Sequence, residues 1–294
     1  MTTKIAAVVI TYNRFSLLKE GIAAIRSQSL KPDVIIVVNN GSTDSTQEWL
    51  NTQSDLIVYH QQNLGGAGGF NRGIKEAYEA GFDWVWVMDD DGYPAVSCLQ
   101  ELIKASQVRL NVDAWGCLVV DKDNQEKLAF ECSQLLTATG RINYEIEFIE
   151  NWAAFFNGTL LSKKIIQKVG YPNPDLFIWG DEIDYYQRIV NVGGIIESTT
   201  KAVFHHPKDR LYNVKHNGEY VYDGPINWKA YCFFRNRAYL GRKYYNSTRS
   251  KVLFNQFAYF KLKLPADSFI KAVVLILKAH WDGLTYNLDR KLPY

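Results

Sequence analysis

Asp83-Trp84-Val85-Trp86-Val87-Met88-Asp89-Asp90-Asp91 is an apolar, aromatic and β-branched run that ends in three carboxylates. A short run of this composition predicts a buried strand. In open α/β sheets, ligands bind beyond the carboxyl ends of the strands, so these aspartates are expected on a ligand-binding rim. Side chains alternate along an extended chain, so Asp89 and Asp91 are expected on one side and Asp90 on the other. Two carboxylates on one side suit a divalent cation that also holds a diphosphate. An acidic turn, solvated or capping the next helix, would read the same way.

Working outward, the same grammar repeats. Lys4–Ile10 predicts a buried strand, with Thr11-Tyr12-Asn13-Arg14 as its turn and a helix over 16–28. Val34–Val38 predicts a second strand, closed by Asn39-Asn40-Gly41-Ser42-Thr43-Asp44 and followed by a short helix. Leu56–Tyr59 is a third strand, followed by the glycine-rich stretch Asn63–Gly73 and a helix to about Ala80. Strand and helix alternation predicts a mostly parallel sheet with right-handed crossovers and functional groups at the carboxyl ends of the strands. Further on, a strand is expected over 114–120, a hairpin over 128–132 and 141–148, and a strand over 157–161 that enters a helix at Ser162. Asp181–Asn191 has helical spacing ended by Gly193-Gly194, and the pattern from Trp228 onward is helical.

The 294 residues suffice for one α/β domain with an appendage, and 47% hydrophobic content supports a packed core. A formal net charge of +2 argues against a general role on nucleic acid. The four cysteines form no C-x-x-C pair, which predicts reduced thiols in a reducing compartment. No export signal and no apolar run of membrane-spanning length is seen, so a cytoplasmic location is expected.

TYNR, NNGSTD, NLGGAGGFNRG and DDD follow the first four strands in that order, and Trp179-Gly180-Asp181-Glu182-Ile183-Asp184 and Phe204-His205-His206-Pro207 come later. In this order the motifs resemble the family 2 glycosyltransferases, over roughly residues 4–245. The glycine-rich stretch, the full DDD and Tyr231-Cys232-Phe233-Phe234-Arg235-Asn236-Arg237 look most like the bacterial galactofuranosyltransferases, with rhamnosyltransferases of cell-surface polysaccharide pathways beside them. The resemblance implies a GT-A fold with a helical C-terminal region. Residues 1–225 would form the catalytic domain, with a nucleotide-sugar half to about 120 and an acceptor half from 121. Residues 226–294 would form the helical region. The activity implied is an inverting transfer from a UDP- or dTDP-sugar.

Specific roles follow from that resemblance. Thr11, Tyr12 and Arg14 would border base and ribose. Asn40 stands where many members place a uracil-binding aspartate, and its amide can both donate and accept. Gly65, Gly66, Arg72 and Asp90 would line the nucleotide sugar. Asp89, Asp91 and His205 would hold Mn²⁺ or Mg²⁺, His205 being favoured because it ends the apolar run 202–204. Glu182 is the expected general base, with Asp181 as its substitute, although acidic residues at a helix start also serve the helix dipole. Trp179, Gly180 and Asp184 would contact the acceptor, a glycan or lipid-linked glycan. The aromatic and cationic helices near the C-terminus fit a membrane interface, or a core or dimer contact. A sugar nucleotidyltransferase would carry its glycine-rich loop directly after the first strand, where TYNR stands here. A non-catalytic sugar- or nucleotide-binding module is the remaining reading.

Overall fold

The computed structural model describes residues 3–208, 213–247 and 250–288. Two compact units are present: residues 1–174 with 185–208, and residues 175–184 with 209–294.

The first unit begins with β1 (Ile5–Thr11), α1 (Phe15–Arg26), β2 (Val34–Asn39), α2 (Thr46–Leu50), β3 (Leu56–His60), α3 (Gly65–Glu79) and β4 (Trp84–Asp89). Every residue of β1 is buried, as a parallel strand covered on both faces requires. It continues with β5 (Tyr93–Pro94), α4 (Cys98–Val108), β6 (Ala114–Asp121), β7 (Phe148–Glu150), β8 (Asn157–Ser162), α5 (Lys163–Val169), most of α6 (Asp181–Asn191) and β9 (Ile196–His206). The sheet order is β3-β2-β1-β4-β8-β6-β9-β5, with β7 also on β9. β3, β2, β1 and β4 are mutually parallel, β6 pairs parallel with β9, and β8 runs antiparallel between β4 and β6.

The chain leaves β1 toward β2 and β3 on one side and returns to β4 on the other. The switch point therefore lies between the carboxyl ends of β1 and β4, where Ile10 pairs with Asp89. The expected hairpin over 128–148 is absent: the described segment holds only the isolated bridges Val120–Leu128 and Leu136–Ile142. Its apolar residues Leu128, Leu135 and Ile142 pack on Leu118 and Val120 without a continuous ladder.

The second unit contains β10 (Asn213–His216) and β11 (Glu219–Tyr222) as an antiparallel pair, then α7 (Trp228–Tyr245), α8 (Ser250–Lys263) and α9 (Ala266–Leu284). Tyr222, Tyr231, Phe233, Phe234, Phe260 and Ile276 form its core. The last six residues of the expected helical region lie outside the described residues. All four cysteines are free thiols and buried.

Candidate active site

β4 ends at Asp89, so Asp90 and Asp91 lie in a turn and strand alternation does not govern them. Both are buried, and both meet one cation: Arg14 Nη1 donates to Asp90 Oδ1 and Asp91 Oδ2, each at 2.8 Å. The expectation that Asp90 points away from its neighbours fails for that reason. Thr11 Oγ1, at the end of β1, donates to Asp90 Oδ2 at 2.7 Å, and the Tyr12 N–H lies 3.4 Å from the same oxygen. Burial would lower the Arg14 pKa, but the charges of Asp90 and Asp91, and beyond them Asp89, hold it above its ordinary value. Burial pushes the Asp90 carboxyl up, against the pull of Arg14 and the Thr11 hydroxyl. The Tyr12 side chain is exposed at the same rim.

Gly92 follows the turn. A Cβ there would stand 2.3 Å from Phe204 Cε1 and 2.8 Å from the His205 carbonyl, so glycine lets the turn close against β9. The two histidines that end β9 face different surroundings. His205 stacks on Tyr93, ring centroids 4.9 Å apart, and burial lowers its pKa. His206 reaches the aspartates, with Nε2 3.2 Å from Asp91 Oδ1. Its Nδ1 lies 2.7 Å from the Pro207 carbonyl, which can only accept, so Nδ1 carries the proton.

Two ligands about 2.1 Å from an octahedral ion lie about 3 Å apart, close to the separation seen here. Nitrogen and oxygen donors together suit Mn²⁺, and an Nδ1–H held by a carbonyl is the usual support for a metal-binding histidine. Asp91 and His206 therefore fit a shared divalent ion, and Asp89 ends β4 two residues before Asp91. Among the described residues no three His, Cys, Asp or Glu side chains are already gathered around one point, and Arg14 lies on Asp91 instead.

The turns after β1 and β2 are tied together. Asn13, at φ 53°, donates its N–H to Ser42 Oγ, and its Oδ1 accepts from the Thr43 N–H at 2.7 Å. Asn40 is committed within the protein: Nδ2 donates to the Gly65 carbonyl and Oδ1 accepts from Gln61. It joins the end of β2 to the start of α3, and these two bonds use one of its two amide hydrogens and one of the two lone pairs on its oxygen. The glycine-rich stretch is not a loop but the first turns of α3. Gly65, at φ +70°, starts the helix, and a Cβ at Gly66 beside it would meet only Phe70 Cε2, at 4.0 Å. Arg72 is taken up by Glu76 at 2.6 Å and lies over the Tyr59 ring.

The second unit carries the remaining expected residues. Glu182 Oε2 accepts from the Gly180 N–H at 2.8 Å and is half-buried; Asp181 is buried. Trp179 is half-buried, edge-on to Phe233 at 6.2 Å. Asp184 does not present itself to an acceptor. It is fully buried, and its Oδ1 accepts from Lys243 Nζ at 2.8 Å and the Tyr244 hydroxyl at 2.7 Å. Sequence reading assigned no role to Arg235 and Asn236, both buried here. Two adjacent polar residues directly after the apolar run 230–234 are the available signal, because buried polar groups need partners.

The family model for glycosyl transferase family 2 matches residues 6–168. The galactofuranosyltransferase GlfT1 of Mycolicibacterium smegmatis is 30% identical over 253 residues, covering 81% of this chain and 83% of that protein. GlfT1 of Mycobacterium tuberculosis is 30% identical over 259 residues, covering 82% and 83%. Among solved structures, residues 1–349 of S. aureus TarS superpose with a TM-score of 0.59 at 14% identity, covering 98% of this chain and 82% of that one. The Pyrobaculum calidifontis mannosyltransferase PcManGT, solved with GDP-Man and Mn²⁺, gives 0.52 at 18%, covering 100% and 77%. At these identities the likeness is one of fold, the GT-A fold.

Proposed function

The chain belongs to glycosyl transferase family 2 and is a glycosyltransferase, and we propose that it moves galactofuranose from a UDP donor, with inversion, to a cell-surface polysaccharide or lipid-linked glycan. The likeness to the GlfT1 proteins over four-fifths of the chain supports galactofuranose ahead of dTDP-linked rhamnose. The observation that carries the site is the cluster at the switch point: Thr11, Arg14, Asp90, Asp91 and His206 converge there through bonds of 2.7 to 3.2 Å. It puts fixed carboxylates and a cationic side chain where an α/β sheet receives a nucleotide.

In this reading Asp89, Asp91 and His206 hold Mn²⁺ or Mg²⁺, His206 replacing His205. When bound, the cation neutralises the diphosphate leaving group. Arg14 positions the aspartates and shares their charge with the donor. Asp90 anchors the strand end through Thr11, and Tyr12 offers an exposed ring at the base side. Glu182 takes the proton from the acceptor hydroxyl, the general-base step of an inverting transfer, with Asp181 as its substitute. Gly65 and Gly66 open α3, whose first-turn backbone amides would meet phosphates, although the Gly65 N–H itself donates to Asn63 Oδ1 at 2.9 Å. Trp179 packs against the acceptor sugar.

Thermal shift with UDP, dTDP and GDP, each with and without Mn²⁺, tests the reading. UDP with Mn²⁺ is expected to stabilise most. Equal shifts by all three nucleotides, or none that depends on Mn²⁺, would overturn it.

A further inference from the structure

The turn that precedes α6 is backbone-strained. Phe177 and Trp179 sit at φ 65° and 60°, a region bulky side chains avoid, and Gly180 follows at 94°. The Ile178 N–H donates to the Leu176 carbonyl at 2.8 Å, which closes a three-residue turn of the rare, strained hand around Phe177. Such a turn persists only when its surroundings over-determine it.

Two adjacent residues of α7 supply that constraint. Asn236 Nδ2 lies 2.8, 2.9 and 2.7 Å from the carbonyls of Leu176, Ile178 and Trp179. Its two hydrogens serve three acceptors, so the amide is committed on every side. Arg235 Nε donates to Asn236 Oδ1 at 2.9 Å and so fixes which way that amide faces. Arg235 Nη2 holds the carbonyls of Asp175 at 2.8 Å and Leu176 at 3.0 Å. Both side chains are about 1% exposed. The strained turn ends at Gly180, whose N–H donates to Glu182 Oε2 at 2.8 Å.

From this chain of contacts we infer that Asn236, oriented by Arg235, is a positioning residue for the Glu182 carboxylate. The inference rests on Glu182 being the base. Asn236 holds the left-handed turn, the turn presents the Gly180 N–H, and that N–H fixes one oxygen of Glu182. The other oxygen then takes the acceptor proton.

Three substitutions test it. Asn236→Leu keeps the shape and removes the donors, Asn236→Ser keeps one short donor, and Asn236→Gln keeps both hydrogens on a longer arm. Misplacing a reacting group by about 1 Å costs on the order of 100-fold in rate. Asn236→Leu is therefore expected to lose kcat by roughly that factor while its affinity for UDP with Mn²⁺ stays within about twofold. Asn236→Gln is expected to recover part of the loss. Turnover near wild type in Asn236→Leu, or donor affinity falling in step with kcat, would overturn the inference. If Asn236→Leu does not fold, Ser and Gln decide: a lower kcat in Ser at equal donor affinity supports it, and equal kcat overturns it. Glu182→Gln is measured alongside. Undiminished turnover in that variant retires the base assignment, whereas an intact rate in the Asn236 variants retires only the clamp.

Discussion

Adjacent histidines on a strand face opposite sides, so His205 and His206 separate two kinds of consequence. His206→Ala removes a nitrogen 3.2 Å from Asp91 and is expected to weaken Mn²⁺ binding in the presence of UDP by tenfold or more. His205→Ala removes a ring stacked on Tyr93. Its cost is expected in stability, about 1 kcal/mol, with Mn²⁺ affinity unchanged. Calorimetric titration of both variants with Mn²⁺ checks the pair, and the reverse pattern would restore His205 as ligand. The sequence placed a histidine at the strand end but not which one turns inward, because that depends on the register of β9 against β5 and β6. Tyr93 pairs with His205, and Asp121 with His206. Glu182→Gln is the second test at this scale. A general base contributes about 10²- to 10⁴-fold, so kcat should fall by that range while donor affinity holds.

Among the elements, α3 shows most plainly where local reading stops. Five glycines between Gly65 and Gly73 lower intrinsic helix propensity, and the sequence accordingly suggests a loop beside a ligand. The helix forms because glycine lets it lie directly on the sheet. A Cβ at Gly73 would stand 2.4 Å from Val8 Cγ1, and one at Gly69 would stand 2.3 Å from Ile10 Cγ2. Gly73→Ala is therefore expected to destabilise by about 1–3 kcal/mol through overpacking. At Gly66 the nearest atom is 4.0 Å away, so Gly66→Ala is expected to be neutral or stabilising by up to about 1 kcal/mol. Urea denaturation of the two variants reads the sign difference. In the second unit, α9 buries Ala272, Ile276 and Ala279 but exposes Ile270, Val274, Leu277 and Trp281 at spacings of three and four. Lys271 and Lys278 are exposed on the same helix. If these helices meet a membrane and not a second copy, that face would lie in the interface of an anionic bilayer, with the lysines at the headgroups. Among the described residues no helix is long and apolar enough to cross a membrane. Flotation with phosphatidylglycerol vesicles should carry the protein upward, and Trp281→Ser with Ile270→Ser should release it. Equal flotation of the double variant would rule this face out as a membrane contact.

For the molecule as a whole, the legible part was the one with the simplest physics. β1, β2, β3 and β4 are short apolar runs closed by polar turns, and all four form near the expected residues. The segment 121–147 and the β10–β11 pair are not legible in the sequence, because their order rests on packing against distant strands and helices and not on any local period. Net charge adds a prediction of its own. At +2 the chain has almost no long-range field to attract a doubly charged donor. Donor binding must then depend on charges in the site: Arg14, its aspartates and the divalent ion they fit. Raising salt from about 50 to 300 mM screens interactions beyond about 10 Å and is expected to change donor KM by less than about threefold. Removing the metal should act far more strongly. Excess EDTA is expected to abolish turnover, and Mn²⁺ added back should restore it. Initial rates across both series check the contrast. Steep salt dependence with indifference to EDTA would mean that a diffuse basic surface, and not an ion at Asp91 and His206, receives the diphosphate.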